Sequence, residues 1–146
     1  MEFNEDKVRK ITSEILGAFE RLKELKRLSK KEFLADPHKI GSAKYNFIVA
    51  IEGIIDLCNH IISKNAFRTP EDYADTFRVM NERGAFDKKF TETLTQMARF
   101  RNRLVHIYWE VDNNELHKLI QNRLNDIKLF LKKFGSFISR NQHKPK

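Results

Sequence analysis

The chain has 146 residues, of which 40% are hydrophobic and 33% charged, with 12 Phe and a formal net charge of +8. That is enough apolar material for one packed domain, and five Gly with three Pro argue against a turn-rich β fold. A single cysteine, Cys58, excludes an internal disulfide and a cysteine zinc cluster.

Val8, Ile11, Ile15, Phe19, Leu22 and Leu25 recur at helical steps and predict a first helix, with Glu5 and Asp6 at its start and Lys26 and Arg27 at its end. A turn around Lys31–Asp36 follows. Asp36-Pro37 is an N-cap with proline at the first helical position, and the second helix runs from about Pro37 to Asn65. Its wide apolar stripe, including Phe47, Ile51, Ile54, Ile55, Cys58 and Ile61, makes it the central helix. Thr69-Pro70-Glu71-Asp72 signals the start of a third, shorter helix that ends near Gly84, with Tyr73, Phe77 and Met80 on its apolar face. A fourth begins near Asp87 and buries Phe90, Leu94, Met97 and Leu104. Asp112-Asn113-Asn114 breaks the chain, and Leu116 to Ile138 supplies a fifth helix. The expected fold is all-α, an up-and-down bundle of about five helices in one domain over residues 1–139, with a disordered basic tail at 140–146. The first ten residues lack the apolar run of a signal peptide. No uninterrupted apolar run approaches the roughly 18 residues of a membrane span. A cytoplasmic protein with no membrane contact is the expectation.

The charge is uneven. Residues 1–86 carry 15 basic and 14 acidic side chains, whereas residues 87–146 carry 13 and 6. A basic face concentrates polyanions such as RNA. The basic part contains Arg101-Asn102-Arg103-Leu104-Val105-His106-Ile107-Tyr108. Arginine binds phosphate with a planar, permanently charged fork, and histidine exchanges a proton near neutral pH. Five residues on an ideal helix turn through about 140°, so Arg101 and His106 do not share a face. Either the helix end distorts or two copies meet across a two-fold axis. Glu52, Asp56 and His60 fall on one line of the second helix. Such a line is more often a solvated stripe than a metal site, and no metal is expected.

Met97 to Asp112, MARFRNRLVHIYWEVD, resembles the signature of the HepT-like toxins of the HEPN ribonuclease superfamily: Arg, four residues, His, one residue, Tyr, with a polar residue after the Arg. The segments YNFIVAIEGIIDLCNHII and PEDYADTFRVMNERGAF resemble the second and third helices of that family. The resemblance implies a homodimer with its cleft at the dimer interface. It implies metal-independent RNA cleavage by ribose 2′-hydroxyl attack, with no cofactor. It also implies a partner, an MntA-like nucleotidyltransferase antitoxin that neutralises the toxin by transferring AMP to the motif tyrosine, here Tyr108. On this reading Arg101 and His106 are catalytic, Arg101 stabilising the phosphate and His106 acting as acid or base. Asn102 orients His106 or binds RNA, Asp56 faces the cleft to pair with Arg101 or His106, and Arg103 is a further RNA contact. Trp109 is expected to pack. The alternative is a non-catalytic helical subunit that positions substrate for a two-component nucleotidyltransferase. A small DNA-binding regulator fits less well, because no recognition helix rich in base-reading side chains is evident.

Overall fold

The computed structural model describes residues 1–142. Its described elements are all helical: α1 (Glu5–Lys26), α2 (Lys30–Leu34), α3 (Pro37–Lys64), α4 (Tyr73–Glu82), α5 (Lys88–His106), a single 3-10 turn (Tyr108–Glu110), α6 (Asn113–Asn122) and α7 (Asn125–Gln142). The all-α bundle is as expected, but it has seven α-helices rather than about five. One addition is α2, read from sequence as a turn. Five residues are too short to show a helical period, yet Ser29 and Glu32 close a reciprocal capping box around its start and Phe33 anchors it in the core. The other comes from a break in the expected fifth helix at Arg123-Leu124. Ile120, Leu124 and Ile127 keep helical spacing across that break and are all buried, so the apolar pattern conceals it.

Side-chain caps fix the remaining starts. Asn4 accepts from the Lys7 amide, Asp36 from His38 and Lys39, Asp72 from Asp75, Asp87 from Phe90 and Asp112 from Asn114. Within the Thr69-Pro70-Glu71-Asp72 signal, Asp72 is the residue that caps α4. The expected disordered tail starts too early, since α7 continues through Arg140–Gln142; its remainder, residues 143–146, lies outside the described residues.

The central position falls to α3, which packs against α1, α2, α4, α5 and α6. By length and hydropathy alone α3 would pass for a membrane span, but 67% of its most apolar window is buried inside the protein. It is apolar because other helices, not lipid, surround it. Its antiparallel partner α1 is pinned by Arg21, whose Nε donates to Asn46 Oδ1 at 2.7 Å, and by the Asn4 amide, which donates to His60 Nε2 at 2.9 Å. Between these ties the helices touch at Gly53, where an added Cβ would lie 2.5 Å from Ile15 Cγ1. Ile15 is fully buried and has nowhere to move.

The connection from α3 to α4 is held by Asp75, which is buried. Its carboxylate accepts from Arg68 Nη1 at 2.7 Å and Nη2 at 3.1 Å, from Arg78 Nε at 3.0 Å and from the Glu71 amide at 2.9 Å. Arg68 first, and then the Glu71 amide, hold this carboxyl far below the usual carboxylate range.

Two outcomes follow for stability. Gly53→Ala gains helix propensity but overpacks Ile15, and a net loss of about 1–2 kcal/mol is expected in urea unfolding; a second change, Ile15→Val, should recover part of it. The Asp75 contribution is complete above the unfolded carboxyl pKa of about 4 and fades as pH falls toward the much lower folded value. Urea midpoints at pH 7 and pH 3 should therefore differ less in Asp75→Asn than in the wild type, with the mutant already weaker at pH 7.

Candidate active site

Antiparallel packing of α5 on α3 sets the surroundings of the Arg/His/Tyr motif. Phe100 and Phe47 meet edge-on with ring centroids 5.6 Å apart, both buried. The next residue, Arg101, is thereby turned onto Glu52. Its Nε and Nη2 donate to Glu52 Oε1 at 3.1 and 2.8 Å. Asn102 Oδ1 accepts from Arg101 Nη1 at 3.1 Å, and the guanidinium lies over the Tyr73 ring, 5.0 Å from its centroid. The Arg101 side chain is only 14% exposed. It is thus held on its edge by a carboxylate and on its face by a ring, with donors left over for an anion.

His106 is the last residue of α5, and its exposed imidazole makes no hydrogen bond or ion pair among the described residues. The helix stays α-helical through His106 and leaves helical geometry only at Ile107, with φ −134° and ψ 46°. Helix distortion therefore does not bring His106 round to Arg101 within one chain. Tyr108 opens the 3-10 turn, 43% exposed, and Trp109 beside it is 77% exposed. Packing was expected for Trp109, and the structure places it in solvent instead. The ring of Tyr108 returns to α3, where Lys44 Nζ lies 4.1 Å from its centroid and donates to the Tyr108 carbonyl at 3.2 Å.

Three residues have partners other than those named from sequence. Asp56, expected to pair with Arg101 or His106, is exposed and bonds to neither; Glu52, one turn earlier, is the partner of Arg101. Desolvation first, and then Glu52, raise the Asp56 carboxyl, opposed by Lys7 and Arg101. Arg103, expected as an RNA contact, closes its fork on Glu115 within the chain, with Nη1 and Nη2 donating to the two carboxylate oxygens at 2.8 Å each. It braces α5 against α6. Asn102 touches Arg101 rather than His106. Sequence reasoning passed over Glu52 as a holder of Arg101 and Lys44 altogether, and read Tyr73 only as part of the apolar face of its helix. Lys44 had a visible signal: it is a lysine on the same helical stripe as Phe47, Ile51 and Cys58.

The line Glu52, Asp56 and His60 does not converge. His60 Nε2 is turned away to accept the Asn4 amide, and among the described residues no three His, Cys, Asp or Glu side chains are arranged to hold a metal ion. An apolar groove of about 270 Å³ is lined by residues that include Phe47, Met97, Phe100, Leu119 and Ile127. It contains none of Arg101, His106 and Tyr108, and the chemistry, not the volume, marks the site.

A family model for ribonuclease HepT-like proteins matches residues 15–134. The chain belongs to the ribonuclease HepT-like family. A putative RNase of Archaeoglobus fulgidus is 27% identical over 103 residues, which span 70% of this chain and 74% of that protein. An mRNA nuclease HepT of Shewanella oneidensis is 26% identical over 80 residues, 55% of this chain and 60% of that one. Among solved structures, a tri-AMPylated Shewanella oneidensis HEPN toxin in complex with an MNT antitoxin superposes with a TM-score of 0.82 at 21% identity, covering 90% of this chain and 98% of that one. A cytosolic protein of unknown function from Bacillus subtilis, YutE, gives 0.78 at 21% identity, covering 99% and 96%. These likenesses show that this HepT-like chain has the HEPN fold.

The brace role of Arg103 is testable in a double-mutant cycle. Arg103→Met and Glu115→Gln should each lower stability modestly, and their coupling, for a pair this exposed, should be below about 1 kcal/mol. A coupling of zero would remove the brace.

Proposed function

We propose that this HepT-like protein is the ribonuclease toxin of a toxin–antitoxin pair, acting as a homodimer on RNA without a metal ion. The observation that carries the reading is the fixed Arg101 guanidinium, oriented by Glu52, Asn102 and Tyr73 and still offering free donors, five residues from an unpaired, exposed His106. In the reaction the ribose 2′-oxygen attacks the adjacent phosphorus, its proton is taken by a base, and the 5′-oxygen leaves with a proton from an acid. His106 supplies the base or the acid, and Arg101 stabilises the charge that grows on the phosphoryl oxygens. The nucleophile belongs to the substrate, so the protein contributes position, charge and proton transfer.

A two-fold cleft answers the angular separation of Arg101 and His106, because a second copy brings its own histidine to the first copy's arginine. Its support is the distribution of exposed apolar side chains. Tyr45, Tyr73, Val105, Tyr108 and Trp109 lie in or beside the motif and its helical neighbours. Tyr108 is the acceptor for AMP from an MntA-like nucleotidyltransferase antitoxin. Adding a phosphodiester and a nucleoside there puts bulk and negative charge into the motif that RNA needs. A cytoplasmic location suits an RNA substrate and one buried free thiol, Cys58, whose pKa burial pushes up.

Unmodified protein in EDTA should cleave cellular RNA and leave 2′,3′-cyclic phosphate ends. His106→Ala should lower the rate by about 10²–10⁴-fold and Arg101→Ala by about 10²–10³-fold. Glu52→Ala, which frees the guanidinium without removing it, should cost less than Arg101→Ala. Light scattering at micromolar concentration should give a dimer. Folded, unmodified protein that leaves RNA intact would instead favour the non-catalytic subunit.

A further inference from the structure

Lys44 is 6% exposed and has no carboxylate partner among the described residues. Burial lowers its pKa. A buried ammonium is costly unless nearby groups offset the lost water. Here both offsets come from one residue, the carbonyl and the ring face of Tyr108. One turn earlier on α3, a Cβ added to Gly41 would lie 4.0 Å from the Tyr108 hydroxyl, so the phenol runs back along α3 toward Gly41. Tyr108 is thus held at its backbone and at its ring face, while the residue as a whole stays 43% exposed.

We propose that Lys44 is the positioning residue for modification of Tyr108: it fixes the phenol for attack on a nucleotide and then neutralises the phosphodiester that forms. The inference rests on the toxin reading above. In the step, the Tyr108 hydroxyl oxygen attacks the α-phosphorus of ATP held by the nucleotidyltransferase. The oxygen–phosphorus bond forms, the bond from the α-phosphorus to the bridging oxygen breaks, pyrophosphate leaves and the phenol proton passes to solvent. A neutral hydroxyl becomes a phosphodiester with one negative charge. Lysine suits this role because its charge sits on a flexible stem, with donors left after the carbonyl is satisfied. The ammonium touches neither Arg101 nor His106, so its action falls on the control of the enzyme and not on RNA cleavage.

The test uses the full chain with its cognate nucleotidyltransferase, ATP and magnesium, and follows AMP incorporation by intact mass. Lys44→Met should lower kcat for modification on the order of tenfold with little change in KM for the toxin, and Lys44→Arg should restore part of it. RNA cleavage by the unmodified variants should stay near wild type. Equal modification rates in wild type and Lys44→Met would overturn the proposal. So would a parallel fall of cleavage, modification and Tm in both variants, which marks a purely structural lysine. If the wild type itself takes up no AMP, the toxin reading's switch fails. The clamp is then judged separately by hydrogen exchange, where Lys44→Met should speed exchange of the Ile107–Val111 amides selectively and unchanged exchange there would remove it.

Discussion

The register of α5 against α3 is the constraint on which the site depends. The two helices run antiparallel, and the buried edge-on pair Phe47–Phe100 locks their relative height. Once that height is set, Arg101 falls opposite Glu52 and Tyr108 falls opposite Lys44. A slip of one turn would carry both away from these partners, taking the guanidinium off Glu52 and the lysine off the Tyr108 ring. Much of what reads as chemistry here is therefore a by-product of core packing, which is the way rigid elements hold functional groups in place.

Positive charge near the motif is handled in two different ways. Arg103 is tied to Glu115 and spends its fork on architecture. Arg101 is bound by Glu52 on one edge only, which orients it without filling it. The distinction matters because two arginines of one short motif look alike in sequence and differ only in what lies across from them. His106 stands apart from both, exposed at the end of a helix that remains regular up to that residue. Its separation from Arg101 is a property of helical geometry and not of a local defect.

What the sequence disclosed and what it withheld divide along a physical line. The starts of α1, α3 and α5 were legible because caps and apolar steps are local signals; Asp36-Pro37 and Asp87 mark their helices directly. The short α2 was not legible, since five residues cannot show a period, and neither was the break before α7, since buried Ile120, Leu124 and Ile127 keep their spacing through it. The motif residues themselves were legible, being neighbours in the chain. Their partners were not. Glu52 lies 49 positions from Arg101 and Lys44 lies 64 from Tyr108, and such pairings depend on helix packing that no local pattern encodes. Asp56 and Glu52 differ by one turn of helix, and only the packed structure fixes which of them meets Arg101.

Trp109 adds a consequence of a different kind. It is the single tryptophan of the chain, it stands in solvent, and it immediately follows Tyr108. The molecule therefore carries one indole chromophore, placed where a nucleic acid, a second protomer or a newly attached nucleotide would change its polarity and quenching. Intrinsic fluorescence of the unlabelled protein becomes an optical read-out of this one turn, with no second tryptophan in the core to dilute it.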